Sequence, residues 1–295
     1  MRTILLTGAN GQVGWELRRT LATLGRVVAP SHAEFDLARP ETLAPALRAI
    51  KPDLIVNPAA YTAVDKAESE QALAYAINAE APLALAKVAA RLGITLVHYS
   101  TDYVFDGSQF GAYAEYDAPR PLGVYGASKL AGEELVQASG ADHLILRTSW
   151  VYGMRGNNFL LTMRRLAHER DKLSVVADQF GAPTWARSIA EATAQMLALW
   201  LAPGATSDDR QRLSGIYHLT CGGRTSWHGF AASILRDMQD RGEKIPDLKA
   251  ISTAEYPTLA KRPANSVLSN EKLQKTFDIR MPDWEEALAL CLAAT

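Results

Sequence analysis

Short apolar runs alternate with longer stretches of helical spacing through the first half of the chain. Residues 4–7, 27–29, 54–57, 95–100 and 144–148 form compact, largely apolar or β-branched runs, each closed by a polar residue, glycine or proline. They predict buried strands. Between them, residues 12–24, 40–50, 71–92 and 125–139 repeat apolar positions at three- and four-residue intervals, as helices with one buried face do. Such alternation predicts a parallel sheet covered on both sides. Right-handed crossovers then make it a Rossmann-like, doubly wound α/β fold.

The pattern changes after Trp150. Helices are expected near 158–170 and 188–201, separated by a polar, turn-rich stretch at 178–185. Residues 203–214 read as an exposed loop. A strand at 216–220, a helix starting near Ser226 and a terminal helix from Asp283 follow. The expected organisation is a sheet domain over 1–150 and a smaller, partly interleaved lobe over 151–295.

Composition narrows the classes. A hydrophobic fraction of 48% with 21% charged residues is that of an ordinary globular protein. Lys+Arg 31 against Asp+Glu 32 gives a net charge of -1, which offers no general attraction to nucleic acid or an anionic membrane. Cys221 and Cys291 are too few for a disulfide framework and lack metal-ligand spacing, as expected in a reducing compartment. The apolar run after Met1 is too short for a signal peptide, and no stretch approaches the ~20 apolar residues of a membrane helix. Together these predict a cytoplasmic protein.

Gly8-Ala9-Asn10-Gly11-Gln12-Val13-Gly14 follows the first strand and opens the first helix. Glycines there permit a tight turn and close backbone approach to a pyrophosphate, while the helix start supplies free N–H groups. In this strand–turn–helix context a dinucleotide is the expected ligand. No carboxylate ends the second strand; Pro30-Ser31-His32 stands there. Ser31 or His32 can receive a 2′-phosphate, which favours NADPH and leaves NADH open. Asp36 is a candidate adenine contact.

Tyr125 and Lys129 lie four residues apart at the start of a predicted helix and so share one face. A phenol with a pKa of ~10 exchanges protons poorly near neutrality, and a nearby ammonium would lower that value. Twenty-four residues upstream of Tyr125, Ser100-Thr101-Asp102 sits at the carboxyl end of a predicted strand, where open α/β sheets bind ligands. Thr101 can hydrogen-bond a substrate carbonyl beside Tyr125.

The glycine turn, Asn57-Pro58-Ala59-Ala60, Thr101 and Tyr125-x-x-x-Lys129 resemble the extended short-chain dehydrogenase/reductase superfamily. More narrowly, the chain resembles the dTDP-4-dehydrorhamnose reductase family. That likeness runs end to end, through Ala63-Val64-Asp65-Lys66-Ala67-Glu68, His98-Tyr99-Ser100-Thr101-Asp102-Tyr103-Val104-Phe105, Asp178-Gln179-Phe180-Gly181-Ala182-Pro183-Thr184 and Arg262-Pro263-Ala264-Asn265-Ser266. It implies reduction of the C4 ketone of dTDP-4-dehydro-β-L-rhamnose, with Tyr125 giving the proton, Lys129 lowering its pKa and Thr101 polarising the carbonyl. It also implies that Gly11, Gln12 and Val13 cradle the cofactor phosphates, with Asp36 and Leu37 near the adenine. By the same likeness Ala60, Tyr61 and Thr62 border the nicotinamide end, and Asp102 and Trp150 touch the sugar. Asn158 and Arg262 are expected on the sugar nucleotide, Arg262 because a guanidinium suits a diphosphate.

Some members of the family are dimers bridged by magnesium through glutamates. Glu16 matches one such position, but Arg187 stands at the second and cannot ligate a cation. The tail 290–295 offers no glutamate either, so no metal site and no metal-bridged homodimer are expected. Nucleotide-sugar dehydratases and epimerases share the fold and the Tyr/Lys pair. Dehydration commonly needs a carboxylate where Tyr103 stands; epimerisation needs little beyond the same triad. A non-catalytic binding subunit, like the regulatory subunit of methionine adenosyltransferase, is the reading from a different class.

Overall fold

The computed structural model describes residues 1–293. Strands β1 (Thr3–Leu6), β2 (Arg26–Val28), β3 (Leu54–Asn57), β4 (Thr95–Thr101) and β5 (His143–Thr148) run parallel in one sheet. Short strands follow: β6 (Val151–Tyr152), β7 (Lys172–Val176), β8 (Phe180–Gly181), β9 (Thr184–Trp185), β10 (Gly215–His218), β11 (Thr225–Ser226) and β12 (Asp247–Ile251). Of these, β10 joins the main sheet beside β5, giving the order β10-β5-β4-β3-β1-β2. The rest pair off as β6 with β9, β7 with β12 and β8 with β11.

The helices before Trp150 are α1 (Gln12–Thr20), α2 (Pro40–Ile50), α3 (Val64–Ala67), α4 (Gln71–Tyr75), α5 (Ala81–Leu92) and α6 (Val124–Gln137). After it come α7 (Phe159–Glu169), α8 (Ala186–Trp200), α9 (Ser207–Leu213), α10 (Trp227–Asp240), α11 (Glu271–Phe277) and α12 (Trp284–Ala293). No described helix is long and apolar enough to cross a membrane.

Side-chain alternation along each strand divides the sheet into two buried faces. Ile4, Leu6, Val56, Val97 and Leu146 pack with residues of α1 and α8, while Leu5, Ile55, Leu96 and Ile145 pack with α2 and α5. Met196 and Trp200 of α8, Tyr217 of β10 and Leu273 of α11 belong to the first of these cores. The sheet domain therefore draws on chain well beyond residue 150. A separate core, with Leu160, Met163, Phe230, Ile234 and Leu288, holds α7, α10 and α12 together.

Several elements differ from the expectation. The segment 203–214 is not all loop: α9 starts at a capping box in which Thr206 and Asp209 satisfy each other's backbone N–H groups. Pro203-Gly204 and the run of polar residues mask it. The expected helix 71–92 is interrupted by a π turn, Ala76–Glu80, that buries Asn78. The expected helix 12–24 tightens after Thr20 into a 3₁₀ turn.

Order reverses at β1, which pairs with β2 on one side and β3 on the other. Ligands of open α/β sheets bind outside the carboxyl ends of the strands at such a switch point. The loops after β1 and β3 meet there.

Candidate active site

The glycine turn is built for close approach. Gly8 has φ +55°, and a Cβ on it would lie 2.9 Å from Ala59 in the loop after β3. A Cβ on Gly14 would lie 2.1 Å from the Gly8 carbonyl oxygen. Gly11 begins α1 with no side-chain cap, and no acidic residue occupies the first turn. The helix start therefore keeps its N–H groups and its positive dipole end for an anion. These features fit the diphosphate of a dinucleotide. Replacing Gly14 by alanine is expected to destabilise the fold by about 1–3 kcal/mol and to weaken NADPH binding, because only backbone lies in the way. Urea unfolding and fluorescence titration with NADPH measure both.

Gln12 does more than close the turn. Its Nε2 donates to the Val151 carbonyl at 3.3 Å, and its Oε1 accepts from Asn158 Nδ2 at 2.9 Å. Asn158 caps α7 by accepting from the Leu161 N–H at 3.0 Å, and its amide also reaches the Gly153 and Arg155 carbonyls. The structure thus occupies Asn158 fully, at a helix start beside the phosphate turn.

In the loop after β2, Glu34 accepts from both the N–H and the hydroxyl of Ser31 at 2.8 Å. Those bonds hold the Glu34 carboxyl below its usual range. Asp36 accepts from the Ala38 N–H at 2.9 Å, with His32 at 3.5 Å and Arg39 at 3.7 Å. Leu37 is buried in the core beside α2. Ala60, Tyr61 and Thr62 follow β3, where Asn78 clasps the Tyr61 backbone by both its N–H (2.9 Å) and its carbonyl (3.1 Å). Asn78 also donates to Ser128 Oγ of α6 at 3.0 Å, so the π turn ties this loop to α6.

Tyr125 opens α6. The Glu68 carboxylate accepts from the Val124 N–H at 2.9 Å, capping the helix where the tyrosine stands. The ring packs edge-on against Tyr103 at 5.6 Å. Burial pushes the Tyr125 phenol up to about 12, against the pull of a hydrogen bond with Thr101, while the Asp102 charge raises it further. The expected lowering by Lys129 is absent, because an amine at about 8 has lost its charge before the phenol titrates; the lysine donates to the Tyr99 carbonyl at 2.6 Å and lies 3.2 Å from His98 Nε2. Burial lowers the lysine to about 8, opposed by Glu133. A phenol that stays protonated at neutral pH suits a proton donor.

Thr101 ends β4, with its hydroxyl 3.1 Å from Asp102 Oδ1. Asp102 is 2% exposed, its Oδ2 has no partner, and burial lifts its carboxyl to about 7. The next residue, Tyr103, lines a cleft of about 830 Å³ whose walls also include Asp65, Phe159, Trp227, Tyr256 and Arg262. Arg262 reaches the cleft, but its guanidinium already grips Asp65 through two bonds of 2.8 and 2.7 Å. A diphosphate would compete for that fork. Trp150 takes φ +45° and stacks on Trp227 at 3.5 Å, with Gly181 at its edge. Sequence reading missed Glu68, Asn78 and Trp227; a lone glutamate in Ala63-Val64-Asp65-Lys66-Ala67-Glu68 carries no sign that it caps a helix 56 residues away.

Glu16 pairs with Arg19 at 2.8 Å and Arg187 at 3.4 Å. Among the described residues no cluster of three or more His, Cys, Asp or Glu could hold a metal. The last two residues of the tail 290–295 lie outside the described residues.

A parallel sheet with a glycine turn at its switch point, and a Tyr/Lys pair facing a strand-end threonine, define an NADP-dependent oxidoreductase of the short-chain dehydrogenase/reductase type. Over residues 1–295 the chain matches the family model described as RmlD substrate binding domain, and it belongs to that family. It is 53% identical to a dTDP-4-dehydrorhamnose reductase of Burkholderia thailandensis over 98% of this chain and 97% of that one. To the enzyme of that name from Salmonella typhimurium it is 48% identical, over 96% and 94% of the two chains. The crystal structure of dTDP-4-dehydrorhamnose reductase from Bacillus anthracis in complex with NADP superposes with a TM-score of 0.88. Its identity is 36%, over 100% of this chain and 99% of that one.

Proposed function

We propose that the chain reduces the C4 ketone of dTDP-4-dehydro-β-L-rhamnose to dTDP-L-rhamnose, the last step of dTDP-rhamnose formation. The reading rests above all on the grouping of Thr101 and a protonated Tyr125 against Tyr103, a wall of the cleft, in a chain that matches reductases of that name over nearly its whole length. NADPH, when bound, supplies the hydride. The backbone of Gly11, Gln12 and Val13 would hold its diphosphate; Ser31, with Asp36 and Leu37, would meet the adenosine. Ala60, Tyr61, Thr62 and Lys129 would border the nicotinamide ribose.

Thr101 orients the ketone oxygen. Tyr125 delivers the phenolic proton to that oxygen as it becomes the alcohol, so one ketone consumes one NADPH and one proton. Asp102 and Trp150 flank the sugar. Arg262 would exchange Asp65 for the diphosphate, and Asn158 would reach the sugar nucleotide only by giving up one of its present partners at the start of α7.

Oxidation of NADPH and of NADH, followed separately with dTDP-4-dehydrorhamnose and other keto sugar nucleotides, tests this. One NADPH oxidised per dTDP-rhamnose formed is the expected result. Sugar conversion without net cofactor oxidation would instead indicate an epimerase, and binding without turnover a regulatory subunit. Lys129→Met is expected to weaken NADPH binding and turnover together; a slow variant with unaltered NADPH affinity would remove the ribose contact from the scheme.

A further inference from the structure

A row of buried polar side chains runs from the carboxyl ends of β1 and β3 to the middle of β4 and ends on Lys129. The Thr7 hydroxyl meets Asn57 Oδ1 at 2.5 Å, Asn57 Nδ2 lies 3.1 Å from His98 Nδ1, and His98 Nε2 lies 3.2 Å from Lys129 Nζ. Asn57 and His98 are register partners on β3 and β4. All four residues are shut from solvent, none more than 3% exposed. Buried polar groups are costly unless they are satisfied, and a fully bonded row fixes its members in place. This row begins at the residue before Gly8, passes the residue before Pro58, and reaches the lysine one turn beyond Tyr125. It joins the phosphate turn to the catalytic helix.

We propose that His98 is a positioning residue that holds Lys129 in its ammonium form, with one N–H left free for the cofactor ribose. The proposal rests on the reading of Lys129 as the ribose-side residue. An ammonium has three hydrogens to donate. The Tyr99 carbonyl takes one and His98 Nε2 can take a second, leaving the third.

The ring must then be neutral, with its proton on Nδ1. Burial drives the His98 pKa well below its ordinary value, and the Lys129 charge drives it further, so a neutral ring is what the site favours. In that register the Asn57 amide turns its oxygen to Nδ1 and its nitrogen to Thr7. The opposite register, with Oδ1 on the Thr7 hydroxyl and Nδ2 facing Nδ1, is the one the distances above describe; it puts the ring proton on Nε2 and matches an uncharged amine at Lys129, so the ammonium form requires the Asn57 amide to turn over. Each charge state thus has one matching arrangement of tautomer and amide. A hydrogen bond to the ammonium is the stronger of the two alternatives, so the imidazole favours the charged lysine.

The sign follows from the lysine. An ammonium-dependent step is fully present below the Lys129 pKa and is lost as pH rises through it, about 8 in this site. Removing the acceptor lowers that pKa and moves the falling limb to lower pH. Other ionisable groups around Lys129 are Glu133 one turn further along α6, its partner Arg147 on β5, Tyr125 one turn back, and Tyr99 and Asp102 on β4. None of them is altered by a substitution at 98, so a difference between variant and parent isolates the imidazole.

In His98→Leu the alkaline limb of kcat/KM, and that of NADPH affinity by fluorescence titration, are expected to fall about one pH unit earlier. His98→Gln, which returns an acceptor near the Nε2 position, is expected to restore the parental limb. In the unsubstituted protein, ¹⁵N NMR of the imidazole at about pH 6.5 should show a neutral His98 with its proton on Nδ1. An unmoved limb in His98→Leu overturns the proposal, as does a limb in His98→Gln displaced as far as in His98→Leu. Should His98→Leu fail to fold, an Nε2–H tautomer in the parent protein overturns it and an Nδ1–H tautomer supports it. A wrong reading of Lys129 would show separately, as unaltered NADPH affinity in Lys129→Met with the imidazole signal as expected.

Discussion

Tyr125→Phe is expected to lower kcat by roughly a hundred- to ten-thousandfold while leaving NADPH affinity nearly unchanged. The substitution removes one hydroxyl and keeps the ring, so the edge-on packing against Tyr103 and the Glu68 cap of α6 persist. What disappears is the proton for the nascent alkoxide. Thr101 remains to orient the ketone, but a threonine hydroxyl is a far weaker acid than a phenol. Asp102 is the nearest substitute donor, its buried carboxyl lifted to about 7, and it sets the residual rate. That residual activity should therefore decline as pH rises through about 7, whereas the parent, with its phenol at about 12, keeps its proton there. Single-turnover measurements separate this loss from binding. A variant with parental kcat would end the role of Tyr125.

Arg147→Met should cost about 3–5 kcal/mol of folding stability. The guanidinium of Arg147 holds Glu133 through Nε at 2.9 Å and Nη2 at 2.6 Å, with side-chain exposures of 2% and 0%. Deleting the arginine strands a carboxylate in the core between α6 and β5. Replacing both residues by apolar ones removes both charges, so the double variant Glu133→Leu with Arg147→Met should recover most of the loss. Because α6 carries Tyr125 and Lys129, the single variant should also lose turnover below its melting temperature. Urea denaturation of the four proteins tests the cycle, and a single-variant loss under about 1 kcal/mol would show that the pair contributes little.

Much of the sheet could be read from the chain because its strands are apolar throughout and end in glycine, proline or polar signals. Leu54–Asn57 and Pro40–Ile50 match the expected bounds residue for residue. The lobe beyond Trp150 was harder. Lys172–Val176 alternates exposed and buried positions but is short and follows directly on a helix. Its partner Asp247–Ile251 exposes Asp247, Lys249 and Ala250, so only pairing reveals it as a strand. The π turn at Ala76–Glu80 is invisible for another reason: one extra residue scarcely disturbs an alanine-rich periodicity.

In the site, glycine turn, Thr101, Tyr125 and Lys129 stand out because their spacing carries the chemistry. Contacts made across long separations do not. Asp65 and Arg262 are 197 positions apart, and nothing in either neighbourhood announces the pair. His98 had a usable signal: a histidine inside a strand of seven buried residues must have partners.

The outer strand Gly215–His218 bears on how copies of this molecule behave at high concentration. Its rim is plugged: Lys272 Nζ donates to the Ile216 carbonyl at 2.7 Å, and Glu115 accepts from the His218 N–H at 2.8 Å. At the opposite rim, Arg26–Val28 is three residues long. A neighbour seeking to lengthen the sheet would have to strip a lysine and a glutamate from one border or grip a stub at the other. Ribbon-like polymerisation is thereby discouraged, and any pairing of subunits is left to helices and loops.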